Sequence, residues 1–125
     1  MIKKKLGNLG EQIATEYLEK QNYKIIERNF YCRQGEIDII AKDKKEIVFI
    51  EVKTRSNVNF GQPSEAVTSI KQKHMLKTAQ YFLYKSNCAN SFVRFDIIEV
   101  LLVEGRFVIN HIKKVIMNDC YNSLP

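Results

Sequence analysis

The sequence predicts an α/β domain in which a five-stranded mixed sheet is flanked by helices, an α/β/α arrangement. Three observations lead there. Two segments repeat apolar residues at helical spacing, five others show the short apolar patterns of strands, and their order is α, β, β, β, α, β, β. The short connections among the first three strands favour an antiparallel meander. The long helix before the fourth strand suits a parallel crossover.

The first helix runs from Leu6 to about Gln21, where Leu6, Leu9, Ile13, Tyr17 and Leu18 make one apolar stripe and Asn22 is a suitable stop. Residues 23–31, 36–42 and 46–55 read as strands. Residues 56–63 (SNVNFGQP) combine Asn, Gly and Pro and read as a turn, after which Pro63 and Ser64 suit a short helical turn. Ser69-Ile-Lys-Gln72 has the S-x-x-Q form of a capping box with Ser69 as N-cap. The helix it opens extends to about Tyr84, with Ile70, Leu76, Ala79 and Leu83 near one face. Residues 92–103 and 106–112 are the last strands, joined at Glu104-Gly105 as a two-residue hairpin connection. One domain is therefore expected over 1–114, followed by a weakly patterned C-terminal tail, 115–125.

A chain of 125 residues with 45% hydrophobic and 27% charged residues suits one core without disulfide staples. Cys32, Cys88 and Cys120 are odd in number and lack CxxC spacing, which argues against a disulfide framework or a zinc site and fits a reducing cytoplasm. The start, MIKKKLGNLGEQ, has no apolar leader core, and no run approaches the roughly 18 apolar residues of a membrane span. A membrane partner is not expected. The net charge of +6 points to nucleic acid or to a solvated basic surface.

The run GEIDIIAKDKKEIVFIEVKTR, residues 35–55, carries the chemistry. With a tight turn at Lys44-Lys45, residues equidistant from the turn face each other. Ile37 then meets Val52, Ile39 meets Ile50 and Ala41 meets Val48 on a wholly apolar face. On the other face Ile40 meets Phe49, Asp38 meets Glu51 and Glu36 meets Lys53. Directly opposed residues have Cβ atoms about 4.5–5.5 Å apart, so two carboxylates there need a shared proton or a cation. A divalent metal with oxygen ligands answers this, and an ammonium two residues from Glu51 can orient a water or hold a phosphate oxygen. The plain alternative is a Glu36–Lys53 sheet salt bridge with both acids in solvent. It sits poorly with Ile40 and Phe49 on the same face.

Ile37-Asp38 followed by Glu51-Val52-Lys53 resembles the PD-(D/E)XK restriction-endonuclease-like superfamily. The surrounding text is more specific. Gly7-Asn-Leu-Gly-Glu11-Gln-Ile-Ala14, the GEIDII run, EVKTR, Gly61-Gln-Pro-Ser-Glu-Ala-Val67 with Lys71-Gln72-Lys73, and Val93-Arg94-Phe95-Asp96 together look like the YraN family of small bacterial proteins. That family is similar to archaeal Holliday-junction resolvases. The resemblance covers about residues 4–112. It implies a restriction-endonuclease-like fold, Mg²⁺ or Mn²⁺ held by Asp38 and Glu51, Lys53 as catalytic lysine, and Glu11 as a further acid aimed at the metal.

Gln72 reads either as N3 of the capping box or as a contact to the site. Glu36 reads as a modulator or a plain partner of Lys53. Arg55 extends the strand and is shaped for a phosphate. Arg94 and Asp96 share a strand face and suggest an internal pair, with support of the site as the alternative. Lys71, Lys73, Lys77 and Lys85 suit a solvated or phosphate-facing helix side, and His74 and His111 lack partners at ligand spacing. The expected function is metal-dependent phosphodiester hydrolysis, possibly of structured nucleic acid, DNA ahead of RNA, with a homodimer suited to symmetric two-strand cutting. The alternatives are a non-catalytic nucleic-acid-binding module on the same fold and a protein-interaction subunit with surface acids.

Overall fold

Seven elements follow the predicted order: α1 (Ile2–Lys20), β1 (Lys24–Cys32), β2 (Gly35–Asp43), β3 (Glu46–Arg55), α2 (Ser69–Lys85), β4 (Phe92–Val103) and β5 (Arg106–Ile112). The structure is a computed structural model that describes residues 2–56 and 69–116, with side chains from Lys5 onward. The expected turn after Ser56, the Pro63-Ser64 turn, the Gly61–Val67 motif, Cys120 and residues 117–125 of the tail lie outside the described residues. The strands form one five-stranded sheet in sequence order. β1–β2, β2–β3 and β4–β5 are antiparallel and β3–β4 is parallel, as the meander and the crossover through α2 require.

Left-handed residues punctuate the chain. Asn22 (φ 70°) ends α1: its N–H donates to Glu19 O and Tyr23 N–H to Leu18 O, closing the last helical carbonyls. Asn87 (φ 56°) ends α2 the same way, with Cys88 N–H donating to Leu83 O. Glu104 (φ 50°) and Gly105 (φ 76°) give the hairpin between β4 and β5 the two positive φ values that match sheet twist.

The sheet lies between the helices. On one face Ala14 and Leu18 of α1 pack with Ile39, Ala41, Val48, Ile50, Ile98 and Val100. On the other, Ala79 and Phe82 of α2 pack with Phe30, Ile37, Ile40, Ile47 and Phe49, and Met75 packs with Ile97. Each large side chain so buried contributes about 1.5–3 kcal/mol against the entropy of ordering the chain. Two expected stripe members are exposed. Leu9 is 46% exposed and Ile70 is 69% exposed. Ile70 is about two and a half helical turns from buried Ala79 and so points the opposite way.

The register prediction holds near the turn and fails beyond it. Ile39 pairs with Ile50, Ile40 with Phe49 and Ala41 with Val48. Past Ile39 the two strands separate. Asp38 Oδ2 accepts the Val52 N–H at 2.8 Å, so a side-chain carboxylate takes the place of a ladder carbonyl. Ile37 packs with Ile40 on the α2 face rather than with Ile39 on the α1 face. The alternation slips at Asp38, opposite a stretch of β1 where Asn29 is left-handed (φ 52°). Ile37–Val52, Asp38–Glu51 and Glu36–Lys53 are therefore not ladder pairs.

Gly10 sets how closely α1 approaches β3. A Cβ there would lie 1.9 Å from Thr54 Oγ1 and 3.0 Å from Thr54 Cβ. Gly10→Ala should therefore destabilise the protein by about 1–3 kcal/mol, and Gly7→Ala, with nothing within 4 Å, should not. Urea denaturation of both variants checks this, and equal midpoints would refute the close approach.

Candidate active site

The splayed ends of β2 and β3 open a pocket of about 380 Å³, lined by Glu11 of α1, Asp38 of β2 and Glu51, Val52, Lys53 and Thr54 of β3. Local sequence explains the placement. Ile47–Ile50 are buried on both faces of the sheet, and the strand carries Glu51 inward with them to 6% exposure. Period-two alternation then returns Lys53 to the face of Glu51. The Gly10–Thr54 contact brings the next residue of α1, Glu11, to the same opening.

Glu51 Oε1 receives two ammoniums. Lys53 Nζ lies at 3.4 Å, and Lys71 Nζ of α2 donates a hydrogen bond to the same oxygen. Burial first, then the Glu51 carboxylate, pushes Asp38 up to about 7, against the lowering effect of the Val52 N–H. Burial also raises Glu11, with Arg28 and Asn29 acting the other way. Burial and the neighbouring Lys71 lower Lys53 below the usual lysine range, while hydrogen bonds to Glu51 and Lys53 outweigh burial and raise Lys71.

The structure thus brings Asp38, Glu51, Lys53 and Glu11 to one pocket. Among the described residues, no group of three or more His, Cys, Asp or Glu side chains is gathered closely enough to hold a metal ion. Glu11 lines the pocket without joining the two other acids as a ready third ligand. Asp38 and Glu51 offer oxygen donors only, the chemistry that suits Mg²⁺ or Mn²⁺. Their mutual repulsion is what a divalent cation would relieve.

The other candidates sit elsewhere. Glu36 is exposed and pairs with Tyr31 across β1–β2. The ion pair of Lys53 is with Glu51 rather than Glu36. Glu36 acts on the site through its charge, raising both Asp38 and Glu11. Arg55 Nε lies 3.4 Å from Oε2 of Glu99, a residue only 3% exposed, so its guanidinium balances a buried acid. Gln72 is half-buried in the first turn of α2 and lies outside the pocket lining. Ser69 is already helical, one position inside its expected cap.

In the sequence Lys71 is only one of several basic residues on the helix. A usable signal was present: α2 has no acidic residue in its first turn, and a lysine there opposes the helix dipole. Such a lysine calls for a carboxylate from another element.

A second polar cluster lies toward the turn end of the β2–β3 hairpin. Arg94 donates to both carboxylate oxygens of Asp96 (2.9 and 3.0 Å), to Asp43 and Glu46, and to Tyr23 Oη. His111 Nε2 lies 2.7 Å from Asp96 Oδ2, and its Nδ1 lies 2.9 Å from Tyr17 Oη. This is the internal pair expected from Arg94 and Asp96, enlarged to a network, and His111 has the partners its sequence neighbours did not suggest. Burial pushes Asp96 up, but hydrogen bonds from His111, Arg94 and the Lys114 N–H together hold it below the ordinary range.

Asp38 gives a pH prediction. Its folded value of about 7 lies above the unfolded value of about 4, so the folded state binds the extra proton between them. The stabilisation this confers is complete below about pH 4 and is lost as pH rises through about 7. Without divalent cations the loss from this group should be on the order of 4 kcal/mol. Urea denaturation in EDTA across pH 4–8 should show Asp38→Asn escaping that loss. Parallel curves for wild type and variant would remove the assignment.

Residues 10–100 match the family described as Uncharacterised protein family UPF0102. A UPF0102 protein of Caldanaerobacter subterraneus is 52% identical over 113 residues, covering 88% of this chain and 93% of the relative. One from Caldicellulosiruptor saccharolyticus is 50% identical over 102 residues, covering 82% and 86%. One from Clostridioides difficile is 48% identical over 112 residues, covering 90% and 96%. The chain belongs to the UPF0102 family. No helix among the described residues is long and apolar enough to cross a membrane.

Proposed function

We propose that this member of the UPF0102 family is a metal-dependent endonuclease of the PD-(D/E)XK type, acting on structured nucleic acid, with DNA ahead of RNA. The observation that carries the reading is the meeting of Asp38, Glu51 and Lys53 in one pocket at the end of a splayed hairpin. Asp38 and Glu51 would hold Mg²⁺ or Mn²⁺. Bound there, the metal supplies Lewis-acid charge and a water of lowered pKa.

The chain's own residues do the rest. Val52 N–H fixes Asp38 by its Oδ2. Lys53, lowered by burial and by Lys71, is closer to the neutral amine than a free lysine and can exchange a proton with the attacking water or hold a phosphate oxygen. Glu11 orders water at the same opening. The +6 charge attracts a polyanionic backbone. Cutting both strands of a branched junction symmetrically would call for two copies about a two-fold axis.

The test is a cleavage assay with labelled single-stranded, duplex, flapped and four-way-junction DNA and the matching RNAs, in Mg²⁺, Mn²⁺ or EDTA. The nuclease reading expects cutting that EDTA abolishes. Tight binding without cutting, strongest in EDTA and falling smoothly with salt, would instead establish a non-catalytic binding module.

A further inference from the structure

Lys71 enters the chemistry above only through its effect on Lys53, yet its ammonium sits on the same Glu51 oxygen as Lys53. The attraction it feels comes from both acids, Glu51 and Asp38. When ionised, Asp38 and Glu51 balance the ammoniums of Lys53 and Lys71, and Glu11 adds a further acid at the same opening. That balance changes when a divalent cation joins Asp38 and Glu51. With both lysines still in place, the site would carry an excess of positive charge beside a carboxylate that is only 6% exposed, and charge at such a position is costly.

The two lysines differ in their freedom to leave. Lys53 is fixed within β3, and its side chain is 24% exposed. Lys71 is in the first turn of α2, and its side chain is more open to solvent, at 35% exposed. Its position near the positive end of the helix dipole costs energy that the contact with the acids helps to offset. An ammonium held this way is retained for as long as the acids lack a better counter-ion.

We propose that Lys71 is a displaceable stand-in for the divalent cation: it neutralises Glu51 and Asp38 in the metal-free protein and yields Glu51 when a cation is held. This rests on the metal-dependent reading above. It makes Lys71 a positioning residue that keeps the two acids close without metal and sets how tightly metal binds.

The experiment is Mn²⁺ titration by calorimetry, with thermal unfolding in EDTA, on wild type, Lys71→Met, Lys73→Met and Glu51→Gln. Lys73→Met changes an exposed lysine of the same turn. Lys71→Met should bind Mn²⁺ at least about fivefold more tightly than wild type and unfold at a lower temperature in EDTA. Lys73→Met should match wild type in both. If Lys71→Met does not fold, Lys71→Gln, which keeps a donor for Glu51 without the charge, gives the same comparison. Unchanged or weaker Mn²⁺ binding in the Lys71 variant, with binding still lost in Glu51→Gln, overturns this inference and leaves the metal site standing. Absence of Mn²⁺ binding in both wild type and the Lys71 variant overturns the metal-dependent reading itself.

Discussion

Lys53→Ala should lower metal-dependent cleavage by about 10²–10⁴-fold, the range for losing one positioned acid–base or electrostatic group. The variant is expected to fold, because Glu51 keeps Lys71 as a counter-ion. Lys53→Arg separates two roles. A guanidinium holds a phosphate oxygen but does not give up its proton. Near-normal cutting by the arginine variant would assign Lys53 to phosphate binding, and a loss equal to that of alanine would assign it to proton exchange with water. Asp38→Asn should be as inactive as Lys53→Ala, since it keeps an oxygen for the Val52 N–H but lacks the charge that holds the metal. Single-turnover rates on whichever substrate the wild type cuts provide the measurement. Wild-type rates in both Lys53→Ala and Asp38→Asn would eliminate the proposed centre.

Arg94→Met should cost about 3–5 kcal/mol of stability, the largest effect expected of a single substitution outside the apolar core. Asp96 is 1% exposed, and Arg94 supplies hydrogen bonds to both of its oxygens. Removing the guanidinium leaves Asp96 with His111 and the Lys114 N–H as its remaining partners. It also releases Asp43, Glu46 and Tyr23, so one change loosens contacts between β4, the β2–β3 hairpin and the connection from α1 to β1. Adding Asp96→Asn to Arg94→Met should recover part of the loss, because the uncompensated buried charge goes with it. Urea denaturation of the single and double variants forms a cycle. A single-variant cost below about 1 kcal/mol would show that the network contributes little.

The order of elements, the mixed sheet and the register around the Lys44-Lys45 turn follow from local pattern alone. Alternation and turn residues act over a few positions, and Ile39–Ile50, Ile40–Phe49 and Ala41–Val48 lie close to the turn that aligns them. The proximity of Asp38, Glu51 and Lys53 was also legible, though the geometry behind it was not. The sequence reading opposed the acids as a ladder pair. The structure seats Asp38 in a gap between diverging strands, bonded to the Val52 N–H. Alternation carries no sign of a side chain replacing a backbone acceptor, so it places Ile37 with Ile39, whereas Ile37 packs on the α2 face.

What the sequence determined by itself was therefore the fold class, the family and the strands that carry the acids and the lysine. The fold class and the strands are consequences of periodicity and spacing, and the family is a consequence of the resemblance that the motifs carry. Tertiary structure decided the counter-ions that come from other elements. Lys71 reaches Glu51 across the fold, Arg55 turns to buried Glu99, and the expected Arg94–Asp96 pair gains His111 and Lys114. The reason is electrostatic. A charge carried into the interior must be matched by whichever opposite charge or donor folding brings within a few ångströms, and that choice depends on how helices and strands pack, at separations where sequence pattern has no reach.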